Sequence, residues 1–373
     1  MATLSLETTQ TRTPDRQAEG YWLFGRKKDL GWFIWSLLIP LAVYLPAYAI
    51  WGKASIWPLY VIYVVAFATP HTWLTYAVSL PSSARGLYSR RSFWQPVLAT
   101  AALATLVPFS QVYGGWDALF TFVTLLGFYH IGKQHVGILR MYDTKFAQVI
   151  GDRTIFTDLK PFHDFCVLAF AMPVLYVWLF PSLEIVVDRQ TFTLLTPHIP
   201  VWSLIPIVAA MAWYALRTVQ VLKRRAAKGK PLPSAHLATA AVACASYLIA
   251  FAAVRTEDYL LTLAIFITFH DIQYGGFVWH FQRQRAQRAA QAGQSLDRIH
   301  LWAKDNRYGR YFGLALAFSV GLVGLLSIVP ATVALTIVVF HNTLHYLMDG
   351  WIWKRQNNPT VHLDLGIANS AAD

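Results

Sequence analysis

The sequence predicts an all-α, polytopic membrane protein: a bundle of about ten transmembrane helices with both termini cytoplasmic. Three observations carry this. The 373 residues are 56% hydrophobic and only 13% charged, where a soluble domain is about 25% charged. The apolar residues come in long unbroken runs, each of roughly the 20 residues that a spanning helix needs. They do not alternate at every second position, as the strands of a membrane β-barrel do. Finally, of the 31 Lys and Arg residues, 27 fall on the side of the N-terminus when the chain is threaded through ten windows. Only Lys53, Arg189 and Arg255 fall on the other side, and Lys133 lies within a window. That is the positive-inside pattern. It explains the net charge of +12 as basic cytoplasmic loops. No aromatic–basic nucleic-acid motif appears, so no nucleic-acid partner is expected.

The chain divides into a polar N-terminal tail (1–29), a transmembrane domain (30–355) and a C-terminal tail (356–373). The Thr-rich start lacks the apolar core of a signal peptide and reads as a flexible cytoplasmic tail. The apolar windows are 30–51, 56–78, 94–114, 118–138, 162–181, 201–222, 236–254, 259–280, 312–330 and 332–353. The second contains Pro70-His71, where the missing N–H predicts a kink. The fifth and seventh are opened by His163 and His236, which read as interface residues. Cys166 and Cys244 lie inside these two windows and do not form a disulfide framework or a cysteine metal site. In the eighth, Gly275-Gly276 predicts a loosened or kinked helix. The basic stretch from Phe281 to Tyr311 reads as an amphipathic helix on the inner leaflet. The last two windows meet at a tight turn at Pro330, and Gly350-Trp351-Ile352-Trp353-Lys354 closes the tenth as an interfacial anchor.

Histidine carries the functional signal. His71, His130, His135, His270, His280, His341 and His345 fall in the second, fourth, eighth and tenth windows. All four windows run in the same direction, so the seven imidazoles share one slab of the membrane. Polar groups at that depth are costly and mark function by default. His341 and His345 are spaced i,i+4, which puts both rings on one helix face. This is how a helix offers two nitrogens to one metal. Asp349 continues that face and either ligates or orients His345. His270 and Asp271 point about 100° apart on a helix, and Asp271 and Asp349 are the acidic residues deep in the windows. His130 and His135, at i,i+5, share a ligand sphere only across a π-bulge, and Gln134 is a ligand or hydrogen-bond partner. His71 is a further ligand candidate. His280 lies about 15 Å along the helix from His270 and reads as a membrane-surface residue. His198, His300 and His362 are given no role.

A histidine-rich site with few carboxylates suits Fe, Cu or Zn better than Ca or Mg. His130-Ile131-Gly132-Lys133-Gln134-His135 resembles the first histidine box of membrane fatty-acid desaturases and hydroxylases, and His341-Asn342-Thr343-Leu344-His345 has the H-x-x-x-H form of that class. The intramembrane placement of these histidines is similar to that in bacterial membrane carotene-cleaving dioxygenases. The chain departs from the desaturase pattern in lacking an H-x-x-H-H box. The resemblance implies one or two non-haem irons held by His130, His135, His270, His341, His345, Asp349, Asp271 and His71. It implies an O2-dependent oxygenase, monooxygenase or desaturase of lipid metabolism, acting on a lipophilic substrate among membrane lipids and fed by an electron-donor protein. The expected location is the cell membrane, the inner membrane in a Gram-negative cell. The alternatives are a b-type haem redox protein, with haem b on facing histidines, and a metal- or proton-coupled transporter.

Overall fold

Each apolar window folds as a helix in the computed structural model. The structure describes residues 21–79, 90–179, 184–187, 190–195, 200–253, 259–358, 360–365 and 367. The expectations for residues 1–20 and 368–373, for Arg85, Arg189 and Arg255, and for His198 lie outside the described residues.

In chain order the helices are α1 (Arg26–Asp29), α2 (Leu38–Trp51), α3 (Ile56–Tyr63), α4 (Thr69–Ser79), α5 (Arg91–Tyr113), α6 (Trp116–Ile150), α7 (Ile155–Asp158) and α8 (Lys160–Leu179). There follow α9 (Leu204–Ala227), α10 (Ser234–Ala253), α11 (Tyr259–Gln291), α12 (Arg298–Lys304), α13 (Tyr308–Ile328), α14 (Ala331–Ile352) and α15 (Val361–Asp364). One antiparallel hairpin, β1 (Glu184–Val187) with β2 (Gln190–Thr193), interrupts them, with Glu184 opposite Thr193. Among the described residues, six helical stretches are long and apolar enough to cross a membrane: Arg26–Ser79, Arg91–Tyr113, Val201–Ala227, Leu260–Gln291, Tyr308–Ile328 and Ala331–Ile352. The first of these contains α1 to α4 and is broken by Gly52, whose φ of +54° favours glycine.

Burial is arranged inside out relative to a soluble protein. The Val201–Ala227 window is only 6% buried, and its Trp202 and Ile205 stand exposed. A contiguous apolar face of this kind needs an apolar environment. The Leu260–Gln291 window is 83% buried and carries the polar residues Thr262, Thr268, His270, Asp271 and Gln273 inside. α11 is therefore the central helix. It packs against α2, α3, α4, α10, α12 and α15.

Local expectations meet three differences. The kink at Pro70 is replaced by a π turn over Val64–Ala68, after which Pro70 sits in the first turn of α4, where a missing N–H is tolerated. Gly275-Gly276 does not bend α11, which runs unbroken. Gly276 instead admits the Trp32 side chain: a Cβ there would lie 2.4 Å from Trp32 Cγ. The basic stretch after Phe281 is packed on protein rather than free on a surface. Gln282 donates to the Ala77 carbonyl (2.6 Å), Arg285 to the Val78 carbonyl (3.2 Å), and Phe281, Ala286 and Ala303 are buried.

The expected tails are also tied down where the structure describes them. Leu23 and Phe24 are buried, and Asp29 accepts hydrogen bonds from their backbone N–H groups (2.6 and 3.0 Å) and from Tyr142 Oη (2.6 Å). At the other end Val361, Leu365 and Ile367 are buried, and Asp364 pairs with Arg288 of α11. Apolar residues spaced through these two segments give them a core to join.

Replacing Gly276 with Ala should lower stability by about 1–3 kcal/mol, the usual range for overpacking. Gly275→Ala is the control, since its Cβ would meet nothing nearer than 3.6 Å. Thermal melting of the two variants in one detergent checks this. Equal melting temperatures would refute the close approach of Trp32.

Candidate metal centre

Four helices supply the site: α4 (His71, Thr75), α6 (His130, Gln134), α11 (His270, Asp271, Tyr274) and α14 (His345, Asp349). The histidine rings pack closely, with centroids 4.5 Å apart for His71–His345, 4.7 Å for His130–His345 and 4.9 Å for His71–His270. Two sets have all their ligand atoms within 4.8 Å of one another: His71, His130, His345 and Asp349, and His71, His270 and Asp271. His71 belongs to both. Its Nε2 lies 2.8 Å from His345 Nε2, and its Nδ1 lies 3.2 Å from Asp271 Oδ1.

Hydrogen bonds around the cluster fix the ring states. Thr75 Oγ1 donates its one proton to Asp349 Oδ1 (2.7 Å). Its contact with His345 Nδ1 (2.7 Å) must then be one in which the imidazole donates. That leaves a lone pair on His345 Nε2, facing His71. Tyr274 Oη also donates to Asp349 Oδ1 (2.7 Å), and Gln134 Nε2 donates to Oδ2 (2.8 Å). Asp349 thus reaches His345 mainly through Thr75, since the direct Oδ1–Nδ1 separation is 4.0 Å. The His130 ring packs on that of Tyr346 (4.8 Å).

With Asp271 ionised and His71 neutral, the remaining donors and acceptors do not balance. If His71 gives its proton to the lone pair of His345, its Nδ1 lone pair faces a carboxylate oxygen. If it gives its proton to Asp271, two lone pairs meet at 2.8 Å. In addition, His71 Nδ1, His130 Nε2, His270 Nε2 and Asp271 Oδ2 are buried without a hydrogen-bond partner. Buried polar atoms are rarely left so. A cation satisfies them together. Two nitrogens on one first-row metal, each at about 2.0–2.1 Å, stand about 2.9 Å apart when cis, close to the 2.8 Å between His71 and His345. Trans axial imidazoles on a haem need about 4 Å, so these two residues do not fit that group.

Six of the eight sequence candidates are brought together. His135 and His341 fall in neither set, although the His135 ring packs on that of His270 (5.3 Å). α6 is regular through this region, so the i,i+5 spacing turns His135 away from His130. It is bonded instead to Tyr247 Oη through Nδ1 (3.0 Å) and to Gln273 Oε1 through Nε2 (2.9 Å). His341 has both nitrogens engaged on α4, Nε2 with Thr72 Oγ1 and Nδ1 with Tyr76 Oη (3.0 Å). The expected i,i+4 chelate of His341 and His345 is therefore absent, and His71 takes the second place. His280 is buried and stacked on Phe24 (4.7 Å). His300, given no role, bonds the helix-capping Asp297 (2.8 Å).

Two cavities flank the cluster. One of about 380 Å³ reaches His71, His130, His270 and His345 and runs between Phe120, Leu260 and Leu335, toward the N-terminal ends of α6, α11 and α14. Its walls are mostly apolar. A smaller one of about 190 Å³ touches His130, Gln134 and Asp349 from the other side and passes Lys133, Trp353 and Lys354. No protein family, curated protein or solved structure matches the chain.

Thr75→Val keeps the shape of the side chain while leaving His345 Nδ1 and Asp349 Oδ1 each short of a partner. Each unpaired buried group costs about 1–3 kcal/mol, so the variant should melt well below the wild type, and Thr75→Ser close to it. A Thr75→Val protein as stable as wild type would remove Thr75 from this role.

Proposed function

We propose that the chain is a membrane-embedded non-haem iron oxidoreductase that uses O2 on a lipophilic substrate. The observation that carries this is the set of buried, unpartnered imidazole and carboxylate atoms at the end of an apolar cavity. His71, His130, His345 and Asp349 would hold one ion, and His71, His270 and Asp271 a second. Bound there, iron supplies the O2 activation needed to attack an unactivated C–H or C=C bond, chemistry that no side chain performs alone.

The chain's own residues do the remaining work. Leu260, Leu335 and Phe120 line the space for an apolar substrate and exclude water. Thr75 holds His345 in the tautomer whose Nε2 is a ligand. Tyr274 and Gln134 hold the Asp349 carboxylate. Reducing equivalents come from an electron-donor protein at the basic end of the bundle. In this reading the chain crosses the membrane ten times with both termini in the cytoplasm, following the distribution of Lys and Arg. Reporter fusions after Gly114 and after Pro330 should then report the outer side, and a cytoplasmic signal at either would break the scheme.

Substitution tests the centre. His71→Ala and His345→Ala should each lose bound iron, and the double variant should lose nearly all of it. His135→Ala and His341→Ala should retain most, because their nitrogens are already hydrogen-bonded. Iron content is read by mass spectrometry on monodisperse protein. A high-spin iron–nitrosyl signal after NO addition gives a readout independent of turnover, and no Soret band should appear. Full iron occupancy in His71→Ala/His345→Ala would overturn the proposal. A second reading, a metal- or proton-coupled transporter, is favoured by one observation: His130 lines both cavities, so the cluster sits between two openings. Ion flux into liposomes, without stoichiometric iron, would establish it instead.

A further inference from the structure

A second group of ligand-type side chains lies outside the central cluster. Asp143 stands near the C-terminal end of α6, His163 in the first turn of α8 and His236 in the first turn of α10. Three separate helices thus deliver one carboxylate and two imidazoles to the same end of the bundle. Their ligand atoms all lie within 4.8 Å of one another. His236 Nδ1 is 2.5 Å from Asp143 Oδ1, and His163 Nε2 is 3.0 Å from Asp143 Oδ2. The two rings are 5.2 Å apart.

Asp143 and His236 are buried, with 1% exposure each. A carboxylate so placed needs a positive partner. The groups that act on Asp143 electrostatically are His163 and His236. Neither imidazole completes its own bonding: His163 Nε2 makes no aligned hydrogen bond despite its nearness to Oδ2, and His236 Nε2 has no partner. Both nitrogens that face Asp143, His236 Nδ1 and His163 Nε2, can turn a lone pair toward an ion seated beside the carboxylate. A divalent ion there takes one nitrogen from each ring and balances the carboxylate at once. His163, whose side chain is 19% exposed, leaves a path by which an ion reaches the site.

We propose that Asp143, His163 and His236 form a second, independent site for a divalent transition-metal ion. Two imidazoles and one carboxylate suit Zn²⁺, Fe²⁺ or Co²⁺ rather than Mg²⁺ or Ca²⁺. The site draws on no residue of the central cluster, so the two can be emptied separately.

The test uses the full chain in nanodiscs, stripped with a chelator and loaded with Co²⁺. The central-site variant His71→Ala/His345→Ala should still retain one Co²⁺ per chain. Adding Asp143→Asn and His236→Ala should remove it. With the centre intact, Asp143→Asn/His236→Ala should lose one equivalent and keep the rest. In wild-type protein, needing no variant, Co²⁺ should protect His163 from diethylpyrocarbonate, with modification read by peptide mass spectrometry and restored by chelator. Unprotected His163, or unchanged Co²⁺ content on removing Asp143 and His236, would overturn the site. Failure of the central iron proposal would look different. There His71→Ala/His345→Ala would leave the metal count untouched, while the Asp143 variants still lost one equivalent.

Discussion

Polar atoms hidden in an apolar bundle must satisfy one another, and this constraint organises the structure. Apolar side chains on α9, α5 and α13 gain nothing by turning inward if the surroundings are hydrocarbon. What needs the interior is the polar set on α4, α6, α11 and α14. Thr75 shows how tight the accounting is. One hydroxyl serves Asp349 as donor and His345 as acceptor, and so links three side chains from two helices. Tyr274 adds a second bond to Asp349 Oδ1 from α11, and Gln134 one to Oδ2 from α6. The four helices are thereby locked in register by hydrogen bonds rather than by apolar shape alone. Within the cluster His71 Nδ1, His130 Nε2, His270 Nε2 and Asp271 Oδ2 remain open.

The placement of the two cavities follows from the same division. On one side of the cluster the helices carry Leu, Ile, Val and aromatic residues, and the space between them is apolar. On the other side Gln134, Asp349, Lys133 and Lys354 stand beside Ile138, Met141, Phe277 and Trp353, and the smaller cavity is also walled mainly by apolar surface. His130 lines both cavities, so the cluster can be approached from two directions. The Asp143 group lies apart from both cavities, and its His163 side chain is 19% exposed.

Much of this can be read in the sequence, and the limits have physical causes. The windows are legible because a helix in hydrocarbon must be apolar throughout its length. The stripe His341–His345–Asp349 is legible because i,i+4 spacing is a property of one helix. Whether two residues on that stripe share a metal is not, because it depends on what the facing helix offers. α4 presents Thr72 and Tyr76 to His341 but His71 to His345, and only the packing decides this. His135 is lost for a related reason: the sequence allows a π-bulge in α6, and the structure has none. Asp143 escapes notice because α6 continues well past its apolar window, to Ile150. The polar run from Arg140 to Lys145 resembles a loop. Spacing gives no signal either: 13 residues separate His130 from Asp143, about 3.6 turns, which puts the two on nearly opposite faces of the helix.

Because His71 lies in both ligand sets, the rotation of α4 about its axis controls the whole centre. That helix is only 11 residues long, and ten of them are buried. It continues α3 through the π turn without a break, and its last carbonyls lack intrahelical partners. Here those carbonyls are claimed by the central helix: Ala77 O by Gln282 and Val78 O by Arg285. At its other end Thr72 and Tyr76 grip His341 of α14. The clamp at Ala77 and Val78 lies about 10 Å from His71 at 1.5 Å per residue, and uses residues that touch no part of the cluster. This accounts for two long polar side chains, Gln282 and Arg285, being buried so near the basic end. They are the C-terminal cap of α4, supplied by another helix, and through it they set the direction in which His71 points.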